Sequence, residues 1–154
     1  MDPRNVKRIL VPTDFSDPSA DALATAMEFA AFSGATLDLV HVAVEATYAL
    51  PPPVDVATVP IDMTKVMNRA ADNLAAEEAR VRAAGLPCET ATLVGRPDPE
   101  IVERARSTRA DLIIMGTHGR SGLAHALLGS VAERVVQHSP CPVLIVPHRG
   151  ATRA

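Results

Sequence analysis

Five short apolar runs alternate with four stretches of helical spacing, and that alternation leaves few architectures open to the chain. Ile9, Leu10 and Val11 run into Pro12; residues 36 to 43 ("TLDLVHVA"), 110 to 116 ("ADLIIMG") and 141 to 148 ("CPVLIVPH") are runs of the same kind. Short apolar runs bounded by turn residues read as strands buried on both faces. Residues 88 to 94 ("CETATLV") are β-favouring but alternate with polar residues, which suits a less buried edge strand. Between the first two runs lies "SDPSADALATAMEFAAFSG", where Asp17 is placed to cap, Pro18 suits the first helical position and Gly34 suits the stop. Ala20, Leu23, Ala24, Met27 and Ala31 fall on one face of that helix. A long helix is predicted over 61 to 84, with Met67, Ala70, Leu74 and Val81 on one face and Gly85 ending it. A third follows "GRPDP", with Asp98 as its cap before Pro99, and a fourth spans about 129 to 138. The order β-α-β-α-β-α-β-α-β calls for a parallel sheet with helices on both faces, joined by right-handed crossovers.

Four prolines, at 51, 52, 53 and 60, rule out regular structure across 44 to 60, which reads as a loop inside the domain. At 154 residues the expectation is one domain over 1–154, with an ordered core from about 5 to 148. Aromatic residues are only 3% and Trp is absent, so the core must be built from Ala, Val, Leu and Ile. A net charge of −3 gives no general attraction to nucleic acid, and three Phe with one Tyr make no stacking platform for single strands. Cys88 and Cys141 have no metal-binding or redox spacing and read as small buried apolar residues. No signal-peptide pattern and no run near the ~20 residues of a membrane span is present, so the expected compartment is the cytoplasm.

Gly116, Gly119, Gly122 and Gly129, four of the eight glycines, fall within "GTHGRSGLAHALLGS" (116–130), between the fourth strand and the last helix. In a doubly wound sheet, ligands sit beyond the carboxyl ends of the strands at the switch in strand order. Glycine permits positive φ and close approach of backbone to ligand. Open amides there, with the N-terminus of the next helix and the Ser130 hydroxyl, make an anion site suited to phosphates. The competing reading is a tight irregular turn with no ligand. A Walker-type loop is absent, as is G-x-G-x-x-G after the first strand, and Lys7 and Lys65 lie elsewhere.

The spacing Gly116, two residues, Gly119, nine residues, Gly129, Ser130 is a different signature. Together with "ILVPTDFSDPSADAL", "ADLIIMGTHGRSGL" and "LLGSVAERVVQHSPCPVLIVP", it makes the chain resemble the universal stress protein family, in its ATP-binding branch, over nearly its full length. That resemblance implies a Rossmann-like, adenine nucleotide alpha hydrolase-like fold: five parallel strands in the order 3-2-1-4-5. The adenosine would lie over the ends of strands one and four. Asp14 would take the ribose hydroxyls, Pro12 and Thr13 would shape the adenine side, and Val42 would offer backbone groups to the adenine edge. Met115 and Gly116 would meet the ribose, while Gly119, Gly129, Ser130 and Val131 would hold the phosphates, with Arg120 beside them and Mg²⁺ riding on the phosphates. A side chain at Gly129 is expected to block a phosphate while leaving the apo fold little changed.

No catalytic residue is assigned. His118 and His125 read as loop histidines, because no carboxylate sits at a spacing that would orient either as a base. Phosphoryl transfer needs charge neutralisation and a positioned nucleophile, and a phosphate lysine is missing. The expected function is therefore a nucleotide-dependent regulatory module in stress response, acting on a protein partner that the sequence does not name; the alternative is a slow ATPase or phosphotransferase using the same loop. No protein metal-ligand set is seen. His41 reads as a packed or rim histidine, His138 and His148 as surface residues, and the arginines of "RVRAAG" and "ERARSTR" as solvated helix faces. The fifth strand, between Pro142 and Pro147, would be an open apolar edge, and a homodimer through it is expected.

Overall fold

The alternation resolves into β1 (Arg8–Pro12), β2 (Thr36–Ala43), β3 (Cys88–Val94), β4 (Leu112–Gly116) and β5 (Val143–Val146), with α1 (Asp17–Ser33), α2 (Met63–Ala83), α3 (Pro97–Ser107) and α4 (Ser130–His138) between them. These come from a computed structural model that describes residues 1–44, 62–118, 128–148 and 150. All pairings are parallel and the order is β3-β2-β1-β4-β5, as expected. β1 is the centre: Leu10 lies opposite Asp38 of β2 on one side and Ile113 of β4 on the other. The chain therefore reverses its direction of travel across the sheet between β1 and β4, which leaves a crevice at their carboxyl ends.

Each face of the sheet carries its own apolar layer. Ile9, Val11, Leu37, Leu39, Leu112 and Ile114 pack against α1 and α2 through Ala22, Leu23, Ala26, Leu74 and Val81. Leu10, Val40, Val42, Ile113 and Met115 pack against α3 and α4 through Ile101, Ala105, Ala132 and Val135. The core is aliphatic, as the composition requires; Phe15 and Phe29 are only half-buried and Phe32 is exposed. Both cysteines are free, Cys88 buried and Cys141 half-buried. Burial pushes the Cys88 thiol up to about 11, so it is an inert core residue.

Several local expectations are corrected. Ser16, not Asp17, caps α1: its Oγ accepts from the Ser19 amide, and Asp17 and Pro18 form the first turn. The buried face of α1 is Ser19, Ala22, Leu23, Ala26 and Ala30, rotated from the predicted one. Alanine occurs all around this helix, so composition alone leaves its facing weakly specified. α2 starts at Met63, with Asp62 accepting from the Thr64 and Lys65 amides. α3 starts at Pro97 with no side-chain cap, and Asp98 instead pairs with Arg96 and Arg134 from within the first turn. β5 covers only Val143–Val146 of the predicted run.

The arginines of "ERARSTR" are not all solvated. Arg104 reaches back from α3 to grip Asp38 at 3.0 and 2.9 Å. Asp38 is fully buried in the middle of β2, and Arg8 stands 4.0 Å from it while binding Glu89 on β3. Removing Arg104 would leave the buried Asp38 carboxylate with only the more distant Arg8, a change expected to cost several kcal/mol, about 3–5 for a fully buried pair. His148 is likewise no free surface residue: its Nδ1 lies 2.7 Å from Asp21 Oδ2, tying the chain beyond β5 to α1.

Candidate functional site

The crevice at the carboxyl edge is a cleft of about 420 Å³. Its floor is the strand ends: Pro12 from β1, Val42 and Ala43 from β2, Met115 and Gly116 from β4. Thr13 and Asp14 form one rim; Gly129, Ser130 and Val131, at the start of α4, form the other. Residues as distant in sequence as Pro12 and Ala132 thus meet only because parallel strands put all their carboxyl ends on one side. Gly119 and Arg120, the remaining predicted contacts, lie outside the described residues, as do Gly122, His125 and most of the 44–60 loop.

The Asp14 rim is wired by its own side chains. Thr13 donates its amide to Val40 O at 2.8 Å, continuing the β1–β2 ladder one residue past the strand. Its Oγ1 accepts the Phe15 amide at 3.1 Å and lies 3.2 Å from Ser19 Oγ. Asp14 Oδ1 accepts from the Ser16 amide at 3.0 Å and from the Ser16 hydroxyl. These local bonds hold a sharp turn, in which Phe15 takes a φ of 63°, a left-handed conformation uncommon outside glycine. The Phe15 ring stacks on His41, centroids 4.7 Å apart, and His41 Nδ1 bonds Thr13 O at 2.9 Å. His41 is the rim histidine expected from its strand position.

The opposite rim is a helix start without a side-chain cap. α4 begins at Ser130 with Gly129 as its cap residue and with no side-chain cap bond. The first amides of an α-helix have no partner within the helix, and together with the helix dipole they favour an anion. Gly129 donates to Thr117 O at 2.7 Å, and Thr117 donates to Val146 O at 3.2 Å, so the two ends of the glycine segment are stapled together and to β5.

The glycines themselves correct the sequence reading. Gly116 and Gly129 do not adopt positive φ; close approach is what requires them. A Cβ on Gly116 would stand 2.9 Å from Pro18 O, and one on Gly129 would stand 2.9 Å from Thr117 O. The turn explanation therefore accounts for part of the glycine content, and a side chain at 129 disturbs the apo structure, contrary to the expectation above.

Several lining residues were not foreseen. Ser19, Val66, Pro97, Ile101 and Thr117 wall the cleft from helices and turns. His118 also lines it, with Nδ1 3.1 Å from Thr117 Oγ1. Glu77 of α2 stands behind the Asp14 rim, its Oε1 accepting from Thr13 Oγ1 at 3.2 Å, beside a more open groove lined by Phe15, Arg69, Asn73 and Ala76. A signal for Glu77 existed: it occupies the i+7 position of the stripe Ala70, Leu74, Val81, where an apolar residue belongs.

Open amides, a turn-held carboxylate and an apolar floor together suit a ligand with an anionic end, a hydroxylated middle and a flat apolar body. Among the described residues no group of three or more His, Cys, Asp or Glu is placed to hold a metal. No helix among them is long and apolar enough to cross a membrane.

Fold and cleft define a doubly wound α/β protein with a ligand-sized opening at its switch point. The profile of the universal stress protein family matches residues 5–147. The chain is 36% identical over 140 residues to the universal stress protein MJ0531 of Methanocaldococcus jannaschii, covering 91% of this chain and 81% of that one. The solved structure of MJ0577 from the same organism matches with a TM-score of 0.81 at 30% identity, covering 95% of this chain and 99% of that one. A universal stress protein solved in complex with cAMP matches with a TM-score of 0.69 at 30% identity, covering 93% and 98%. The chain belongs to the universal stress protein family.

Proposed function

We propose that the chain binds an adenine nucleotide, with ATP as the reference ligand, and works as a nucleotide-dependent regulatory module in stress response. The observation that carries this reading is the meeting, in one cleft, of the Asp14 turn and the uncapped start of α4. Asp14 takes the ribose hydroxyls; Pro12 and Thr13 shape the adenine side while the Val42 backbone meets the adenine edge; Met115 and Gly116 lie under the ribose. Gly129, Ser130 and Val131 take the phosphates, joined by Gly119 and Arg120, and Mg²⁺ enters on the phosphates. The cAMP complex of a relative supports a cyclic or linear adenine nucleotide as the ligand class. Mass spectrometry of ligand released from protein purified without added nucleotide, followed by calorimetric titration, tests it. A chain that carries no adenine nucleotide and takes up none overturns it.

An enzymatic alternative is narrowed by the same geometry. His118 lines the cleft beside Thr117, so it is the residue through which a slow ATPase would act. Turnover well below the ~10 s⁻¹ of a dedicated enzyme is expected in a phosphate-release assay. Fast turnover that disappears in His118→Ala would make the chain an enzyme.

The proposed assembly is a cytoplasmic homodimer through β5, which among the described residues pairs only with β4 and keeps Val143, Leu144 and Ile145 half-buried along its length. Antiparallel pairing with the same strand of a second copy satisfies an otherwise open edge. Light scattering should give twice 16.2 kDa, and Leu144→Pro should give monomer or insoluble protein.

A further inference from the structure

Glu77 occupies a place where a leucine would cost less. It completes the buried stripe Ala70, Leu74, Val81 of α2, yet it brings a carboxyl group whose Oε2 is buried with no hydrogen-bond partner. Glu77 as a whole is half-buried, but a carboxyl oxygen held from water without a partner costs stability relative to an apolar residue of similar size. Its one bond goes to Thr13, the residue that organises the Asp14 rim.

We propose that Glu77 is a positioning residue for the cleft: its carboxyl group holds the Thr13 hydroxyl, and the proton on that carboxyl sets how the turn presents Asp14 to the ligand. The inference rests on the adenine-nucleotide reading given above and names a residue that tunes that site.

The Thr13 hydroxyl has fewer protons than acceptors within reach. Ser19 Oγ donates to Ser16 O at 2.9 Å, and Ser16 Oγ donates to Asp14 Oδ1. Thr13 Oγ1 accepts from the Phe15 amide and has a single proton to give, but two acceptors lie at 3.2 Å: Glu77 Oε1 and Ser19 Oγ. With Glu77 ionised, Thr13 spends its proton on the carboxylate and its contact with Ser19 has none. With Glu77 protonated, the acid donates to Thr13, Thr13 donates to Ser19, and Ser19 donates to Ser16. The chain then runs in one direction through the turn that carries Asp14.

The surroundings favour the protonated form more than water does. Burial pushes the Glu77 carboxyl up from its ordinary value, and the charge of Asp14 across the turn pushes the same way; the Thr13 bond and Arg80, one turn on along α2, oppose. Arg69 lines the same groove, and the Cys88 thiol on β3 also senses the Glu77 charge. An ionised Glu77 places a second negative charge behind Asp14, on the rim of a cleft that takes an anionic ligand, so the neutral form is the binding-competent one.

The test compares wild type, Glu77→Gln and Glu77→Leu by calorimetric titration with ATP from about pH 5 to about pH 8, with an apo melt for each. Glutamine stays neutral and its amide can donate to Thr13; leucine completes the apolar stripe but holds nothing. The titration of the nucleotide's own phosphates is common to all three proteins, so ratios of Kd are read. The expected ratio of wild-type to Glu77→Gln Kd is near one at the acidic end and rises roughly 3- to 10-fold as Glu77 ionises. Glu77→Leu is expected to melt higher than wild type and to bind more weakly at every pH. A ratio that stays flat across the range overturns the proposal and leaves the nucleotide reading standing. A Glu77→Leu protein that binds as Glu77→Gln does also overturns it, because then only packing matters. Absence of wild-type ATP binding at every pH removes the nucleotide reading and this proposal together.

Discussion

The two rims of the cleft are built on opposite plans. On the Asp14 side the backbone is bent against its preference, with Phe15 at a φ of 63°, and four side chains, Thr13, Asp14, Ser16 and Ser19, hold the bend through mutual hydrogen bonds. On the Ser130 side the backbone is ordinary helix, and its cap residue, Gly129, has no side chain to cover the first amides. One rim has its polar groups engaged before a ligand arrives, which fixes geometry. The other leaves donors uncommitted, which supplies attraction to charge. A site made only of the first kind would be rigid and weak, and one made only of the second would accept any anion.

The comparison breaks most severely at Gly129. Its Cβ position lies 2.9 Å from Thr117 O, so Gly129→Val must move either the helix start or the β4 exit. The expected cost is about 1–3 kcal/mol of apo stability, a melt lowered by roughly 3–10 °C in a chain of this length. ATP binding should fall beneath calorimetric detection. A variant that melts and binds as wild type does would show that the open rim is not held by that contact.

The wired rim should fail more gently. Asp14→Asn keeps an acceptor for the Ser16 amide but loses the charge, whereas Asp14→Ala loses both. Hydrogen bonds to a charged group contribute about 1.5–3 kcal/mol, so Asp14→Ala should weaken ATP roughly 10- to 150-fold, with Asp14→Asn between it and wild type. The loss should be smaller for 2′,3′-dideoxy-ATP, which offers Asp14 no hydroxyl; equal losses for both nucleotides would separate Asp14 from the ribose. Salt sharpens the contrast with less effect still: raising it to about 0.5 M should weaken ATP several-fold through the open rim and leave adenosine nearly unchanged.

The part of this architecture that could be read from sequence is the part whose physics is local. Ile9–Val11, Leu39–Val40 and Ile113–Met115 are continuous apolar runs because both of their faces are covered, and that is visible in one dimension. Pro12, Asp14, Gly116 and Gly129 are legible because each sits at a strand end or helix start. What escaped was set by distant partners. The facing of α1 depends on which alanines meet Leu23's neighbours in the sheet, and alanine carries almost no pattern. Arg104 looked like a solvated helix residue because its partner, Asp38, lies 66 positions earlier. Val66 and Ile101 enter the cleft because two helices from opposite faces of the sheet converge on its carboxyl edge. The α1 cap is Ser16 and not the expected Asp17 for a different reason: both residue types are competent caps, and only the backbone geometry decides.

The smallest effect concerns the stability of the wired rim itself, without any ligand. Glu77 has its carboxyl value raised in the folded chain, mainly by burial. A raised carboxyl favours the folded state at pH below the unfolded value, and that contribution is lost as pH rises through the folded value. Wild type and Glu77→Gln should therefore differ least in melting temperature at the acidic end, where both are neutral. As pH rises above the ordinary glutamate range, wild type alone must ionise a group with a buried, unpartnered oxygen, so Glu77→Gln should gain on it by about 1–3 °C. The gain should level off once Glu77 is fully ionised, and the pH at which it does so locates the titration independently of any nucleotide. A melting difference that does not change with pH would mean that the Asp14 rim is held by Thr13, Ser16 and Ser19 alone, and the contrast between the two rims would then owe nothing to α2.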